Sequence, residues 1–85
     1  MDWKKYGFII SSDYRKRVAL SLMEGPMTPK QIAVKTGLYL SHVSHTLKEL
    51  SSLNIATCLT PELRRGRVYE LTDDGKEIAV YIKRM

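Results

Sequence analysis

The sequence predicts a mainly α-helical fold with one small β-hairpin, an α+β arrangement, in one domain over residues 1–85. Apolar residues recur at helical spacing in several short segments. Glycine, proline and asparagine interrupt these segments often, so each element is expected to be short. The only pair of strand-like segments, 55–59 and 68–71, flanks a basic loop. With 85 residues, of which 44% are hydrophobic, the chain has apolar side chains for one modest core.

The first predicted helix begins after Ser11 or Ser12, since either serine could cap it and Asp13 suits the first turn. It stops before Gly25. Its inward face is predicted from helical spacing and consists of Tyr14, Val18, Ala19 and Leu22. Its outer face carries the basic run Arg15, Lys16 and Arg17. The preceding residues 1–10 are too apolar for a solvated tail, so they either pack on the core or contact a partner chain.

Two helices separated by a glycine turn follow. Thr28, Pro29 and Gln31 form a strong start signal, because Thr28 could cap the helix and Gln31 could complete a capping box. Gly37 ends this helix, since glycine suits a tight left-handed turn. The next predicted helix spans 39–53, with an inner face formed by Val43, Leu47 and Leu50. The opposite face has no acidic residue and consists of Ser41, Ser44, His45 and Lys48.

A hairpin and a last helix complete the predicted fold. Asn54 ends the third helix, and a loop over 61–67 joins the two strand-like segments. Thr72 is expected to cap the last helix, which has two aspartates in its first turn. Gly75 permits another part of the chain to approach this helix closely. The inner stripe of the helix is expected to be Ile78, Tyr81 and Ile82.

This order of elements is a helix-turn-helix followed by a β-hairpin wing. The dipeptides Ile32-Ala33, Gly37-Leu38 and Val43-Ser44, with Leu47-Lys48-Glu49-Leu50, resemble the helix-turn-helix of MarR- and ArsR-type winged-helix regulators. Segment 58–76 and the residues Ser12-Asp13-Tyr14-Arg15 are similar to small archaeal members of that group. The resemblance covers nearly the whole chain, and it implies a three-helix core, a two-stranded wing and a C-terminal helix.

The resemblance also implies a DNA-binding transcriptional regulator. Its third predicted helix would enter the major groove of double-stranded DNA, and its wing would contact the minor groove or the backbone. Carried over by position, the recognition residues would be Leu40, Ser41, Ser44, His45 and Lys48. The chain departs from the family at Tyr39 and Leu40, where polar residues are frequent, and at His45, where arginine is frequent. Phosphate contacts are therefore expected to dominate over direct base readout.

The distribution of charge points to the same partner. The net charge is +5, and no aspartate or glutamate lies between Gly25 and Lys48. Acid-poor, basic segments of this kind predict one positive face, which is the footprint of a nucleic-acid-binding surface. The wing residues expected to contact DNA are Arg64, Arg65 and Arg67, and further phosphate contacts are expected from Thr28 and Lys30.

Other classes of function are less well supported. The sequence has no glycine-rich phosphate loop, no paired carboxylates in an apolar setting and no nucleophile beside a base, so no catalytic residue and no enzyme are predicted. No cofactor or metal is predicted, because His42, His45 and Cys58 are too few for zinc and Cys58 is expected to be a small buried apolar residue. A winged-helix module for protein–protein interaction, without DNA contact, is the alternative reading.

A homodimer is expected, because a chain of this size has more aromatic residues near its ends than one core would bury. The residues that would belong either to the core or to this interface are Trp3, Tyr6, Phe8, Tyr81, Ile82 and Met85. No apolar stretch reaches the roughly 20 residues of a membrane span, and there is no secretory signal, so a cytoplasmic location is predicted. No domain that would sense a small-molecule effector is evident.

Overall fold

Helices and one hairpin account for most of residues 1–84, the part of the chain described by this computed structural model. The elements in chain order are α1 (Trp3–Ile10), α2 (Asp13–Ser21), α3 (Pro29–Thr36), α4 (Leu40–Ser52), β1 (Ala56–Cys58), β2 (Tyr69–Leu71) and α5 (Asp73–Arg84). A 3₁₀ turn, Leu22–Glu24, extends α2. The predicted α+β class is confirmed. Met85, a predicted interface residue, lies outside the described residues.

Residues 1–10 form helix α1, which packs on the core. Asp2 caps it by accepting hydrogen bonds from the backbone nitrogens of Lys4 and Lys5, at 3.1 and 3.2 Å. Ile9 is completely buried, and it anchors the helix in the same apolar cluster as the other helices. Trp3, by contrast, stays 59% exposed. Residues 1–10 therefore pack on the core at the C-terminal end of α1, whereas the aromatic side chain of Trp3 at the other end stays exposed.

Helix α2 begins after Ser12, whose hydroxyl accepts from the backbone nitrogen of Arg15 at 3.4 Å. Val18 and Ala19 are buried as predicted. The prediction that Tyr14 is buried was wrong, since it is 42% exposed. Its ring stacks on His42 of α4 with ring centroids 4.7 Å apart, so its partner is a surface ring and not the core.

Arg15 of α2 was expected on the outer, solvated face of the helix, and the structure places it elsewhere. It is half-buried, because α1 and α4 both supply partners to its guanidinium. The guanidinium lies 3.7 Å from the ring centroid of Phe8 and donates to the Glu49 carboxylate at 2.8 Å. Arg15 therefore ties three helices together.

The central pair of helices follows the sequence signals closely. The Thr28 hydroxyl accepts from the Gln31 nitrogen at 3.2 Å, and the Gln31 side chain accepts from the Thr28 nitrogen at 2.9 Å, which completes the capping box. Gly37 has φ of 74°, the left-handed conformation that ends α3. The buried face of α4 contains the three predicted residues and one more: Val43, Thr46, Leu47 and Leu50.

The hairpin is shorter than the sequence predicts. Strands β1 and β2 pair antiparallel, with Ala56 opposite Leu71 and Cys58 opposite Tyr69. Ile55 does not begin the strand, because its nitrogen donates to the Leu50 carbonyl at 2.9 Å and so continues the end of α4. Cys58 was expected to be buried, but it is half-buried: it shares the inward side of the strand with buried Ala56, yet it lies at the end of the strand next to the exposed wing loop.

Helix α5 packs on the hairpin through a glycine. The Thr72 hydroxyl caps it by accepting from the Gly75 nitrogen at 3.1 Å. A Cβ atom on Gly75 would overlap the carbonyl oxygen of Ile55, so only glycine fits there. Ile78 is buried as predicted and Ile82 is half-buried, whereas Tyr81, for which the sequence allowed either the core or an interface, is 43% exposed. Among the described residues, no helix is both long and apolar enough to cross a membrane.

Candidate nucleic-acid interface

Helix α3, helix α4 and the wing enclose an open groove on one surface of the molecule. Its volume is about 600 Å³, and its lining residues are Thr28, Pro29, Lys30, Leu40, Ser44, Arg64, Arg65, Gly66, Arg67 and Tyr69. Members of all three predicted sets of contact residues therefore meet here: the start of α3, the outer face of α4 and the wing. Residues that lie up to 41 positions apart in sequence, Thr28 and Tyr69, share one surface.

One edge of the groove is the first turn of α3. The capping box fixes this turn, because it uses the hydroxyl of Thr28 as a hydrogen-bond acceptor. The hydroxyl proton of Thr28 stays free to donate, which is the role a phosphate oxygen would need. Lys30 follows in the same turn and is exposed. Pro29 has no N–H, and the nitrogens of Thr28, Gln31 and Ile32 already donate to acceptors within this helix end. Within residues 1–84, the Lys30 nitrogen is therefore the one backbone donor of this turn left for an anion.

A row of residues on α4 runs from the groove into a second hollow beside it. Leu40, Ser44 and Lys48 are four residues apart, so they lie on the same side of the helix at intervals of about 6 Å. Leu40 and Ser44 line the groove beside the wing arginines. Ser44 and Lys48 also line a second hollow, where they meet Arg67 and the end of the hairpin. The structure thus joins these three residues into one continuous surface.

Ser41 and His45 form a neighbouring row on α4. Both are exposed, as predicted, but neither lines the groove. Nε2 of His45 lies 3.9 Å from the carboxylate of Glu49, one turn further along the helix. The five predicted recognition residues are therefore divided into a row that lines the groove and the adjoining hollow, and a row that lines neither.

The wing is held in shape by backbone contacts. Gly66 has φ of 65°, which favours glycine at its turn. The Arg67 Nε donates to the Leu63 carbonyl at 2.5 Å, and the Val68 nitrogen donates to the Thr60 hydroxyl at 2.9 Å. Every residue over 61–67 is exposed. The wing therefore presents its arginines to solvent from a closed loop.

The groove carries positive charge that no carboxylate compensates. Within residues 1–84, no acidic group lies within ion-pair distance of the basic residues that line the groove or the hollow beside it, Lys30, Lys48, Arg64, Arg65 and Arg67. Several basic residues elsewhere are paired, among them Lys5 with Asp74 at 2.8 Å and Arg17 with Asp13 at 3.1 Å. A surface with this distribution attracts polyanions.

Arg15 and Glu49 join helix α2 to helix α4, a role that the sequence did not predict. Arg15 donates to both carboxylate oxygens of Glu49, at 2.8 and 3.4 Å, and to the Phe8 carbonyl at 3.1 Å. The hydrogen bond from Arg15 lowers the pKa of Glu49 below its ordinary value of 4.5, against the opposing effect of burial. Glu49 is the only acidic residue of α4, so this pair neutralises the one negative charge on that helix. The sequence feature that could have indicated this pair is the lone glutamate in a helix without other acidic residues.

An aromatic cluster flanks the start of α4. His42 stacks on Tyr14, and the ring of Tyr39 meets His42 edge-on at 5.8 Å between centroids. His42 is therefore occupied by rings and is not grouped with other ligands. Among the described residues, no three histidine, cysteine or acidic side chains are grouped as a metal site would need.

Comparison with known proteins supports the fold. No protein-family model and no curated protein matches the sequence. Among solved structures, NMB1585, a MarR family regulator from Neisseria meningitidis, has a TM-score of 0.75 and 27% identity over 96% of this chain and 60% of its own. The homodimeric winged helix-turn-helix DNA-binding domain of Mb0332 from Mycobacterium bovis, described as a possible ArsR-family regulator, has a TM-score of 0.73 and 21% identity, over 95% of this chain and 75% of that fragment.

A third similar structure contains DNA. The transcriptional repressor CouR, bound to a 23-mer DNA duplex, has a TM-score of 0.73 and 20% identity over 95% of this chain and 61% of its own. The chain thus spans less than two thirds of the length of NMB1585 and CouR. Its structural neighbours are winged-helix transcriptional regulators of the MarR and ArsR families, and the winged helix-turn-helix fold predicted from the sequence is confirmed.

Proposed function

We propose that this chain, a single winged helix-turn-helix domain over residues 1–85, is a transcriptional regulator that binds double-stranded DNA. The observation that carries the proposal is the set of five unpaired basic residues around the groove between α3, α4 and the wing. A helix flanked by such charge fits the major groove, which is about 12 Å wide and admits an α-helix. The DNA-bound repressor among the structural neighbours supports the same assignment.

Each predicted contact residue has a defined role in this complex. Helix α4 enters the major groove, with its two rows toward base edges and phosphates: Leu40, Ser41, Ser44, His45 and Lys48. Arg64, Arg65 and Arg67 lie on the minor groove or the backbone, where arginine binds phosphate or a narrow groove. Thr28 and Lys30 hold a phosphate at the start of α3. Phosphate contacts supply most of the affinity.

The chain acts as a homodimer in this proposal. Trp3 and Tyr6 of α1 and Tyr81 of α5 form an aromatic patch, with ring centroids 5.3 to 5.6 Å apart in edge-to-face contacts. Trp3 and Tyr81 are exposed, and their apolar area is the kind of surface that a second copy would cover. The homodimeric Mb0332 domain supports this state. Two copies would place recognition helices in successive major grooves about 34 Å apart.

No catalytic step, cofactor or small-molecule effector is part of this proposal. Among the described residues, those that line the groove supply cations and a threonine and a serine hydroxyl but no carboxylate that could act as a base. Binding to chromosomal DNA is also consistent with the cytoplasmic location predicted from the sequence.

The proposal is tested by titrating a fluorescein-labelled 30-base-pair duplex at several salt concentrations. Five phosphate contacts per subunit predict that log K falls with log salt with a slope of about −4.5, or about −9 for a dimer. Binding weaker than ~10⁻⁴ M at low salt, or binding that does not change with salt, would reject the proposal. Retrieval of a protein partner by a chain without DNA affinity would favour the interaction module instead.

A further inference from the structure

Leu40 is an apolar side chain within the cationic groove. It is the first residue of α4, it is 45% exposed, and no other large hydrophobic residue of α4 is exposed. In the groove it lies with Ser44 and the wing arginines. Leu40 does not belong to the buried cluster, so its exposed part is available to whatever occupies the groove.

The surrounding charge identifies that occupant. Lys30, Arg64 and Arg65 line the same groove without acidic partners, so an apolar protein segment would have to bury them unpaired, which is costly. Duplex DNA would pair all three with phosphates. The groove therefore favours a polyanion that offers one apolar group at the position of Leu40.

The major groove of DNA offers such a group. Base edges there carry hydrogen-bond donors and acceptors, with one apolar exception, the C5-methyl group of thymine. Leucine has no hydrogen-bonding atom, so pressing it against the polar edge of another base would leave that edge without its water and without a partner. Leu40 thus selects for a methyl group and against the polar edges.

We propose that Leu40 reads the C5-methyl group of a pyrimidine in the major groove, which in unmethylated DNA places an A·T pair opposite the start of α4. This inference rests on the proposed function, since it requires α4 to lie in the major groove. Ser44 follows four residues, about 6 Å, further along the helix, which is nearly two base-pair steps of about 3.4 Å. The target is therefore DNA with a thymine in the groove facing each recognition helix.

The experiment uses deoxyuridine, which differs from thymidine only by the missing methyl group. A duplex is selected by the wild-type chain from a random 24-base-pair pool, and each thymine in it is then replaced singly by deoxyuridine. One thymine per recognition helix is expected to show about a fourfold loss of affinity, the effect of removing one buried methyl group. Leu40→Ala is expected to bind thymine and deoxyuridine duplexes equally.

Matched variants separate this contact from a change of fold. Val34→Ala alters an aliphatic residue that is 86% exposed and lines neither hollow, so it should keep the fourfold preference. Leu40→Gln keeps the length of the side chain but replaces its methyl groups with an amide, so it should lose the preference. Circular dichroism confirms that each variant is folded.

The outcomes distinguish the inference from the function on which it rests. Tight, salt-dependent binding with no thymine sensitive to deoxyuridine, or a preference that Leu40→Ala and Leu40→Gln retain, overturns the methyl contact and leaves DNA binding intact. Absence of DNA binding by the wild-type chain overturns both. The sensitive thymine is also replaced by cytosine and by 5-methylcytosine. A fourfold higher affinity for 5-methylcytosine than for cytosine shows that the methyl group is read on either base. Equal affinity for the two shows that the contact is made to thymine alone.

Discussion

The groove and the aromatic patch differ in how their charges are arranged. The aromatic patch of Trp3, Tyr6 and Tyr81 is bordered by ion pairs, with Lys5 on Asp74 and the Met1 amino group on Glu77 at 3.4 Å. The basic residues of the groove and the adjoining hollow have no such partners within residues 1–84. Ion pairs partly neutralise the charge beside the aromatic patch, whereas the groove keeps its positive charge.

Under the proposed function, this difference accounts for the kind of partner assigned to each region. An exposed ion pair contributes only about 0–1 kcal/mol to stability, so leaving the groove cations unpaired costs the fold little. The unpaired cations attract a polyanion, whereas the neutralised aromatic patch lets apolar rings approach a second chain. What distinguishes the two regions is therefore whether their charged residues form ion pairs, more than how many basic residues each contains.

The largest effect is expected from Gly75→Ala, because both regions depend on the packing of α5 against the hairpin. The added methyl group would overlap the Ile55 carbonyl, a backbone atom that cannot easily move. We expect the free energy of unfolding to fall by about 3 kcal/mol or the chain to remain unfolded, as measured by urea denaturation. Gly7→Ala in α1 is the matched control, because no atom lies within 4 Å of the added carbon. Equal stability of the two variants would contradict this packing.

The next effect separates the two regions directly. Replacing Arg64 and Arg65 by alanine removes two unpaired cations, and we expect DNA affinity to fall by roughly one to two orders of magnitude at low salt. The log–log salt slope should decrease by about 1.8, or about 0.9 for each lost phosphate contact. The control is the double variant Lys5→Ala and Arg17→Ala, which removes the same charge from paired positions. Similar losses from both double variants would show that net charge matters and pairing does not.

A smaller effect is expected where α2 supports the recognition helix. Arg15→Ala loses hydrogen bonds to Glu49 and the contact with the Phe8 ring, so we expect a loss of about 2 kcal/mol in urea denaturation at pH 7. Lys16→Ala, at an exposed neighbouring position without an ion pair in residues 1–84, should change stability by less than about 0.5 kcal/mol. A loss for Arg15→Ala no larger than for Lys16→Ala would contradict the proposed tie between the helices.

The same pair predicts a dependence on pH. The pKa of Glu49 is lower in the folded chain than its ordinary value of 4.5, so its stabilisation is present above that value and is lost as the pH falls through the folded pKa. Glu49→Gln should therefore be less stable than the wild type at pH 7 and close to it in strong acid. Glu62→Gln, exposed on the wing, is the control and should show no such difference. A deficit of Glu49→Gln that is constant with pH would contradict the ion pair.

The smallest effect concerns the aromatic patch. Trp3→Ala should weaken self-association by about tenfold, as loss of an aromatic contact implies, and should change the stability of the monomer by less than about 1 kcal/mol. Tyr39→Ala is the control, since Tyr39 is an exposed aromatic residue outside the patch. Sedimentation equilibrium measures the self-association of both variants, and urea denaturation measures their stability. A wild-type chain that stays monomeric at ~100 µM would contradict the dimer.

Local signals predicted most of the fold. The capping box at Thr28, the turn at Gly37 and the close approach at Gly75 are all as the sequence indicates, because each depends on residues next to one another or on a backbone conformation that glycine allows. Helix α1 was not predicted as a helix. It has eight residues with a glycine inside, and its anchor is the burial of Ile9 against other helices.

The errors at the surface of α2 have the same origin. Tyr14 and Arg15 follow the local helical pattern, but their positions depend on His42 and Glu49, which lie about 30 residues away in sequence. Spacing alone shows which residues share a side of a helix and not what will cover that side. For this reason the sequence predicted the row of Ser44 and Lys48 but gave no sign that Ser41 and His45 would lie outside the groove.

The contrast between the groove and the aromatic patch is tested most directly by following backbone amide shifts of the ¹⁵N-labelled chain during titration with duplex DNA. The account predicts that the amides of Lys30, Ser44 and Gly66 shift strongly, while those of Lys5 and Glu77 beside the aromatic patch stay unchanged. Shifts concentrated on α1 and α5, with an unperturbed groove, would contradict it.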